Sequence, residues 1–136
     1  MADAIRPATL RVLVYSSDAD TRAQVMLALG RHPHPDLPAF DYLEVATAPV
    51  VIAHLDAGEV DLAILDGEAA PTGGLGLAKQ LKDEIPACPP LVVLTARADD
   101  AWLANWSRAD AATSHPIDPF HLTEAVTGAL RGRPAA

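Results

Sequence analysis

The sequence predicts a single α/β domain: a five-stranded, doubly wound parallel sheet in the order 2-1-3-4-5, with helices on both faces. Three observations predict it. Five short apolar runs alternate with helical patterns along 136 residues, a length that suits one domain. The first, third and fourth runs are nearly all apolar, as central strands covered on both faces require. Half of the residues are hydrophobic but only 4% are aromatic, so the core must be built from Ala, Val, Leu and Ile.

The elements follow in order. Leu10–Tyr15 is the first strand, and Val25, Met26 and Leu29 share one face of the helix after it, with Asp18, Asp20 or Thr21 available as its cap. Residues 31–40 form a loop rich in proline and histidine; its His32 and His34 lack further metal ligands and read as solvated. Residues 41–46 are the second strand. Thr47 can cap a helix through Val50, Val51 and Leu55, which Gly58 ends. Residues 61–65 are the third strand, and Leu77, Ala78 and Leu81 recur at helical spacing until Pro86 stops them. Gly73-Gly74-Leu75-Gly76 lacks the Lys-Ser/Thr of a P-loop and reads as a flexible loop that lets this helix start. Leu91–Thr95 is the fourth strand, 99–108 a short fourth helix, and 110–113 a weak, Ala-rich fifth strand. Asp118-Pro119 is an N-cap followed by proline at the first helical position, ahead of a buried stripe of Leu122, Ala125, Val126, Ala129 and Leu130. This β–α unit repeated through the chain is flavodoxin-like. The domain is expected over 8–131, with flexible termini at 1–7 and 132–136.

Composition narrows the function. A formal net charge of −8 argues against nucleic acid as the main partner, because phosphate binding wants a basic face. No apolar run approaches the roughly 20 residues of a membrane span, and the first six residues carry no signal-like apolar stretch. Cys88 is the single cysteine, so no internal disulfide can form and a cytoplasmic location is expected.

In a doubly wound sheet, ligands bind beyond the carboxyl ends of the strands, at the switch point between the first and third. Four strand ends deliver polar groups there: Ser16-Ser17-Asp18, Asp66, Thr95 and Ser114-His115-Pro116. Each alone reads as a cap or loop residue; their convergence at one edge marks the candidate site.

These segments resemble a known family. Asp61-Leu62-Ala63-Ile64-Leu65-Asp66, with Pro71 and Gly74 following, resembles the phosphoacceptor segment of response-regulator receiver domains. Leu91-Val92-Val93-Leu94-Thr95-Ala96-Arg97 is similar to the family's fourth strand, Val12-Leu13-Val14-Tyr15-Ser16-Ser17 with Arg22 to its first, and the stretch from Asp110 to Pro116, then Asp118, to its fifth strand and cis-proline turn. The resemblance spans about Leu10 to Leu130. It implies Asp66 as phosphoacceptor, Thr95 as switch hydroxyl, a cis His115–Pro116 bond, and signalling in a phosphorelay with a histidine kinase as a partner.

The departures are at the chemistry. The family has two acids where this chain has Ser16 and Ser17, a lysine where it has His115, and an aromatic switch residue where it has Ala112. Pro71 stands one residue further from Asp66 than in the family, and the stretch from Thr95 to His115 runs about two residues short. Mg²⁺ wants oxygen ligands and carboxylate charge, so Asp66 with two hydroxyls makes a poor site and Mg²⁺ is expected to bind weakly or not at all. Phosphoryl transfer needs positive charge to meet the transferring oxygens, and His115 supplies it only when protonated. The expectation is an atypical stand-alone receiver, not an enzyme, which works mainly as a protein-interaction module with weak or absent Asp66 phosphorylation.

Two alternatives stay open: an ordinary receiver that recruits Mg²⁺ through Asp18 or Glu68, and a small enzyme or ligand-binding protein using Asp66, Thr95 and His115. Glu68 and Arg97, each two residues beyond a strand end, are expected to pair as a gate over the site. Trp102 and Trp106 lie four apart on one helical face, either in the core or as an exposed anchor. Output to a protein partner or a homodimer is expected through the face from the fourth to the fifth helix.

Overall fold

The computed structural model describes residues 9–97 and 100–132. Five parallel strands, β1 (Leu10–Tyr15), β2 (Phe40–Val45), β3 (Leu62–Asp66), β4 (Leu91–Thr95) and β5 (Ala111–Ser114), stand in the order β2-β1-β3-β4-β5. Helices α1 (Ala19–Leu29), α2 (Ala48–Asp56), α3 (Gly74–Glu84), α4 (Ala101–Ser107) and α5 (Pro119–Arg131) follow the strands in turn. The expected sheet order is therefore the observed one. The termini expected to be flexible lie outside the described residues, apart from Gly132, which caps α5. Asp99, expected to open the fourth helix, is outside them too.

Alternation along the strands sorts the core into two layers. Leu13, Tyr15, Ala63, Leu65, Leu91 and Val93 face α2 and α3, meeting Val51, Leu55, Leu77 and Leu81. Val12, Val14, Leu62, Ile64, Val92 and Leu94 face α1 and α5, meeting Val25, Leu29, Leu122 and Val126. Burying such side chains contributes about 1.5–3 kcal/mol each before entropy is counted. Caps fix the helix starts: Asp18 accepts from the Asp20 amide, and Asp118 from the amides of Phe120 and His121.

The differences from expectation are small and have causes. β2 begins at Phe40, which is fully buried and packs edge-on to Tyr42 with ring centroids 6.1 Å apart. β3 extends to Asp66, carried by its ladder with β4. The Ala-rich β5 starts one residue late, because Asp110 is a cap rather than a strand residue: its Oδ2 accepts from the Leu91 amide and from Lys82 Nζ. Gly73-Gly74 is a packing requirement: a Cβ on Gly74 would sit 2.7 Å from Asp66 O, and one on Gly73 2.9 Å from Gly67 O. Among the described residues no helix is long and apolar enough to cross a membrane.

Candidate functional site

Register builds the site. Tyr15 lies opposite Leu65 in the β1–β3 ladder, so the next residue, Ser16, arrives beside Asp66. Asp66 pairs with Leu94 across to β4, and Thr95 with Ser114 across to β5. Four carboxyl ends therefore meet at one edge. The Ser16 carbonyl is held by Arg22 Nη1 at 2.7 Å, and Arg22 Nε in turn meets Glu44 at 3.1 Å. Tyr15 reaches past the strand end and donates to Thr72 O at 2.5 Å. Burial, then the charge of Asp66, push the Tyr15 hydroxyl above its ordinary pKa.

Asp66 is only 3% exposed, and both of its carboxylate oxygens are engaged. Oδ2 accepts from Ser16 Oγ at 2.8 Å. Oδ1 accepts from the Glu68 amide at 2.9 Å and from His115 Nε2 at 2.9 Å. A carboxylate oxygen only accepts, so the contact puts a proton on His115 Nε2. The His115–Pro116 bond is cis, as the resemblance implies, and His115 faces Asp66. A second cis bond, Ala70–Pro71, lies in the loop after β3.

The other expected residues are placed differently. Ser17 turns away from Asp66 and accepts from the Ala70 amide at 3.0 Å, so it ties down the β3–α3 loop. Thr95 is buried, but its hydroxyl donates to Arg97 O at 3.0 Å. Glu68 has His115 as its neighbour, with Oε1 3.7 Å from Nε2, and Arg97 Nη2 lies 4.0 Å from Asp100. Asp18 spends its carboxylate on capping α1, accepting from the Asp20 amide at 2.9 Å and from Thr21 Oγ1 at 3.3 Å. Ala112 is exposed on β5. Trp102 and Trp106 are 66% and 50% exposed, which decides against the core reading of both. Lys79 Nζ lies 5.9 Å from the Trp106 ring centroid. Among the described residues, no three His, Cys, Asp or Glu side chains group so as to hold a metal ion.

Sequence reasoning missed Tyr15 and the glycines beside Asp66. Gly67 has Leu94 O only 2.5 Å from where a Cβ would stand. The available signal was Gly67 directly after the strand, with two more glycines at the start of the helix.

An uncharacterised response regulatory protein of Mycobacterium tuberculosis, found in two strains, is 62% identical over 122 residues, which is 90% of this chain and 92% of that protein. The chain belongs to the response regulators. It is a receiver domain of two-component signalling, and such domains are signalling modules. No family model matches it. Solved structures share the fold at lower identity. The receiver domain of the response regulator NarL from Mycobacterium tuberculosis superposes with a TM-score of 0.74 at 20% identity, over 93% of this chain and all of that one. A LuxR-family response regulator from Aurantimonas gives 0.76 at 19% identity, over 95% of this chain and 90% of that one. A CheY-like receiver from Methanospirillum hungatei gives 0.71 at 19% identity, over 91% and 95%.

Proposed function

We propose that this receiver acts mainly as a protein-interaction module, with weak or absent phosphorylation of Asp66. The observation that carries the reading is the occupied carboxylate. A phosphoacceptor must offer one free oxygen as nucleophile, with positive charge nearby for the transferring oxygens. Here Ser16, His115 and the Glu68 amide each point a hydrogen at Asp66. The donor set is also a poor match for Mg²⁺. Ser16 brings no charge, Ser17 is engaged by the Ala70 amide, and the Asp18 carboxylate caps a helix. These contacts weigh equally against an ordinary receiver using Asp18 or Glu68.

An enzymatic reading fares no better. In a nucleophile–base–orienter chain the imidazole stands in the middle. Here Asp66 stands in the middle, between Ser16 and His115, so the histidine cannot take the serine's proton. Output then depends on surfaces. Trp102 and Trp106, exposed on α4, are the anchors a partner would bury. Glu68 also stands beside the imidazole that covers Asp66, its Oε1 3.7 Å from Nε2.

The test is the affinity of a partner captured from native cytosol for wild type, Asp66→Ala, Trp102→Ala and Trp106→Ala. A loss of about 2 kcal/mol or more for a tryptophan variant, with Asp66→Ala unchanged, is expected. Binding lost in a folded Asp66→Ala, and strengthened in wild type by a small phosphodonor, would make this a working phosphorylation switch instead.

A further inference from the structure

We propose that the β3–α3 loop, residues 67–73, is a strap latched from the end of β1, and that its opening is the step that withdraws the Glu68 amide from Asp66 Oδ1. Two side chains hold it. Tyr15 donates its hydroxyl to Thr72 O at 2.5 Å, and Ser17 Oγ accepts from the Ala70 amide at 3.0 Å. These bonds join residues 57 and 53 apart in sequence, so they tie the loop to a different strand from the one it leaves. The Tyr15 side chain is 1% exposed in the core layer that faces α2 and α3, and a close-packed ring presents its hydroxyl from a fixed place. The loop is also closed at its neck: a Cβ on Gly73 would stand 2.9 Å from Gly67 O, so its two ends touch. Compact loops with touching ends open as units.

What the strap holds is the site. The Glu68 amide donates to Asp66 Oδ1 at 2.9 Å, and Glu68 Oε1 lies 3.7 Å from the imidazole nitrogen that reaches the same oxygen. When the strap lifts, both leave with it. Tyr15 and Ser17 act on Asp66 through the loop, so they are positioning residues. A rival account holds the loop by packing alone: Ala69 is 7% exposed in the same core layer as Tyr15, and its amide donates to Asp66 O at 3.1 Å. The two accounts differ in what removing a hydroxyl does. Tyr15→Phe and Ser17→Ala leave Ala69 where it is and take away the latch. The inference rests on the reading of Asp66 as a covered carboxylate for its consequence at the site, while the latch itself stands on the two bonds from β1.

Amide hydrogen exchange followed by NMR on the full chain tests it, read at Glu68 in the loop and Val93 in β4. In wild type, Glu68 is expected to be less protected than Val93, because the loop opens without the sheet. One hydrogen bond changes such an opening equilibrium by about twofold to tenfold. Tyr15→Phe and Ser17→Ala should each speed exchange at Glu68 by a factor in that range, although neither touches the Glu68–Asp66 bond. The double variant should show the product of the two factors, as a loop that opens in one piece requires. Ser17→Thr keeps the acceptor and should exchange as wild type does. Val126→Ala, which cuts into the core at a fully buried side chain of α5, should speed Val93 and leave Glu68 unchanged. Phosphorylation of wild type at Asp66 would overturn the proposed function and leave these rates as they are, so the two readings fail separately. The latch is overturned by a Glu68 amide as protected as Val93, by single variants that leave Glu68 at the wild-type rate, or by a double variant no faster than the faster single one.

Discussion

At the scale of single residues, the chemistry turns on what surrounds one carboxylate. Asp66, the phosphoacceptor that the resemblance implies, has its oxygens taken by Ser16, His115 and a backbone amide. Restoring charge should restore metal binding. The double variant Ser16→Asp, Ser17→Asp is expected to bind Mg²⁺ on the order of 1 mM, followed by tryptophan fluorescence or NMR shifts, while wild type shows no saturation in that range. Saturation of wild type there would contradict the account. A second prediction concerns Tyr42, whose hydroxyl donates to Gly30 O and whose pKa burial pushes up to about 12. A raised acid pKa means that the neutral form is the one the fold prefers. Its stability contribution is therefore complete below the unfolded value near 10 and is lost as pH rises through about 12. Tyrosinate absorbance during an alkaline titration should show a late phase that Tyr42→Phe removes. A phase that persists in Tyr42→Phe would assign it elsewhere.

At the scale of elements, most of the fold was legible because pattern and caps agreed. β1 and β4 fall where their apolar runs do, and Asp118-Pro119 opens α5 as its chemistry dictates. The site was legible as a set of strand ends, since topology alone brings them to one edge. What sequence could not give was direction. Nothing local says that Ser17 turns to the Ala70 amide or that Thr95 turns to Arg97 O. Nor does spacing on a helix say which way Trp102 and Trp106 point, since a short α4 with Ala, Leu and Trp has more than one apolar face. The Gly73-Gly74 pair read as flexibility, and the structure makes it closeness. Gly74→Ala should cost about 1–3 kcal/mol by overpacking against the Asp66 backbone. Gly76→Ala, with nothing within 4 Å of its Cβ position, should be neutral or stabilise by up to about 1 kcal/mol. Urea unfolding of the two variants gives the comparison, and equal stabilities would remove the close-packing argument.

At the scale of the whole molecule, the receiver scaffold is present, and the proposed loss of phosphorylation concerns only a few side chains at one edge of it. The sheet order matches that of the CheY-like receiver structures, and the relative in Mycobacterium tuberculosis matches the chain along nine-tenths of its length. A scaffold can outlive one chemistry because the core and the site draw on different residues: Leu, Val and Ile set the layers, and a few polar strand ends set the reaction. Ligands shift an equilibrium only through differential affinity for two states. On the proposed reading, an Asp66 covered by its donors and a Thr95 bonded to Arg97 O leave a phosphoryl group little differential affinity to exploit. The most direct test is incubation with a small phosphodonor and Mg²⁺, read by intact mass and by acid-stable mapping of Asp66 after reduction of the acyl phosphate. Wild type is expected to stay unmodified, and a Ser16→Asp, Ser17→Asp, His115→Lys variant to gain one phosphoryl group on Asp66. Stoichiometric phosphorylation of wild type at Asp66 under the same conditions would contradict the account.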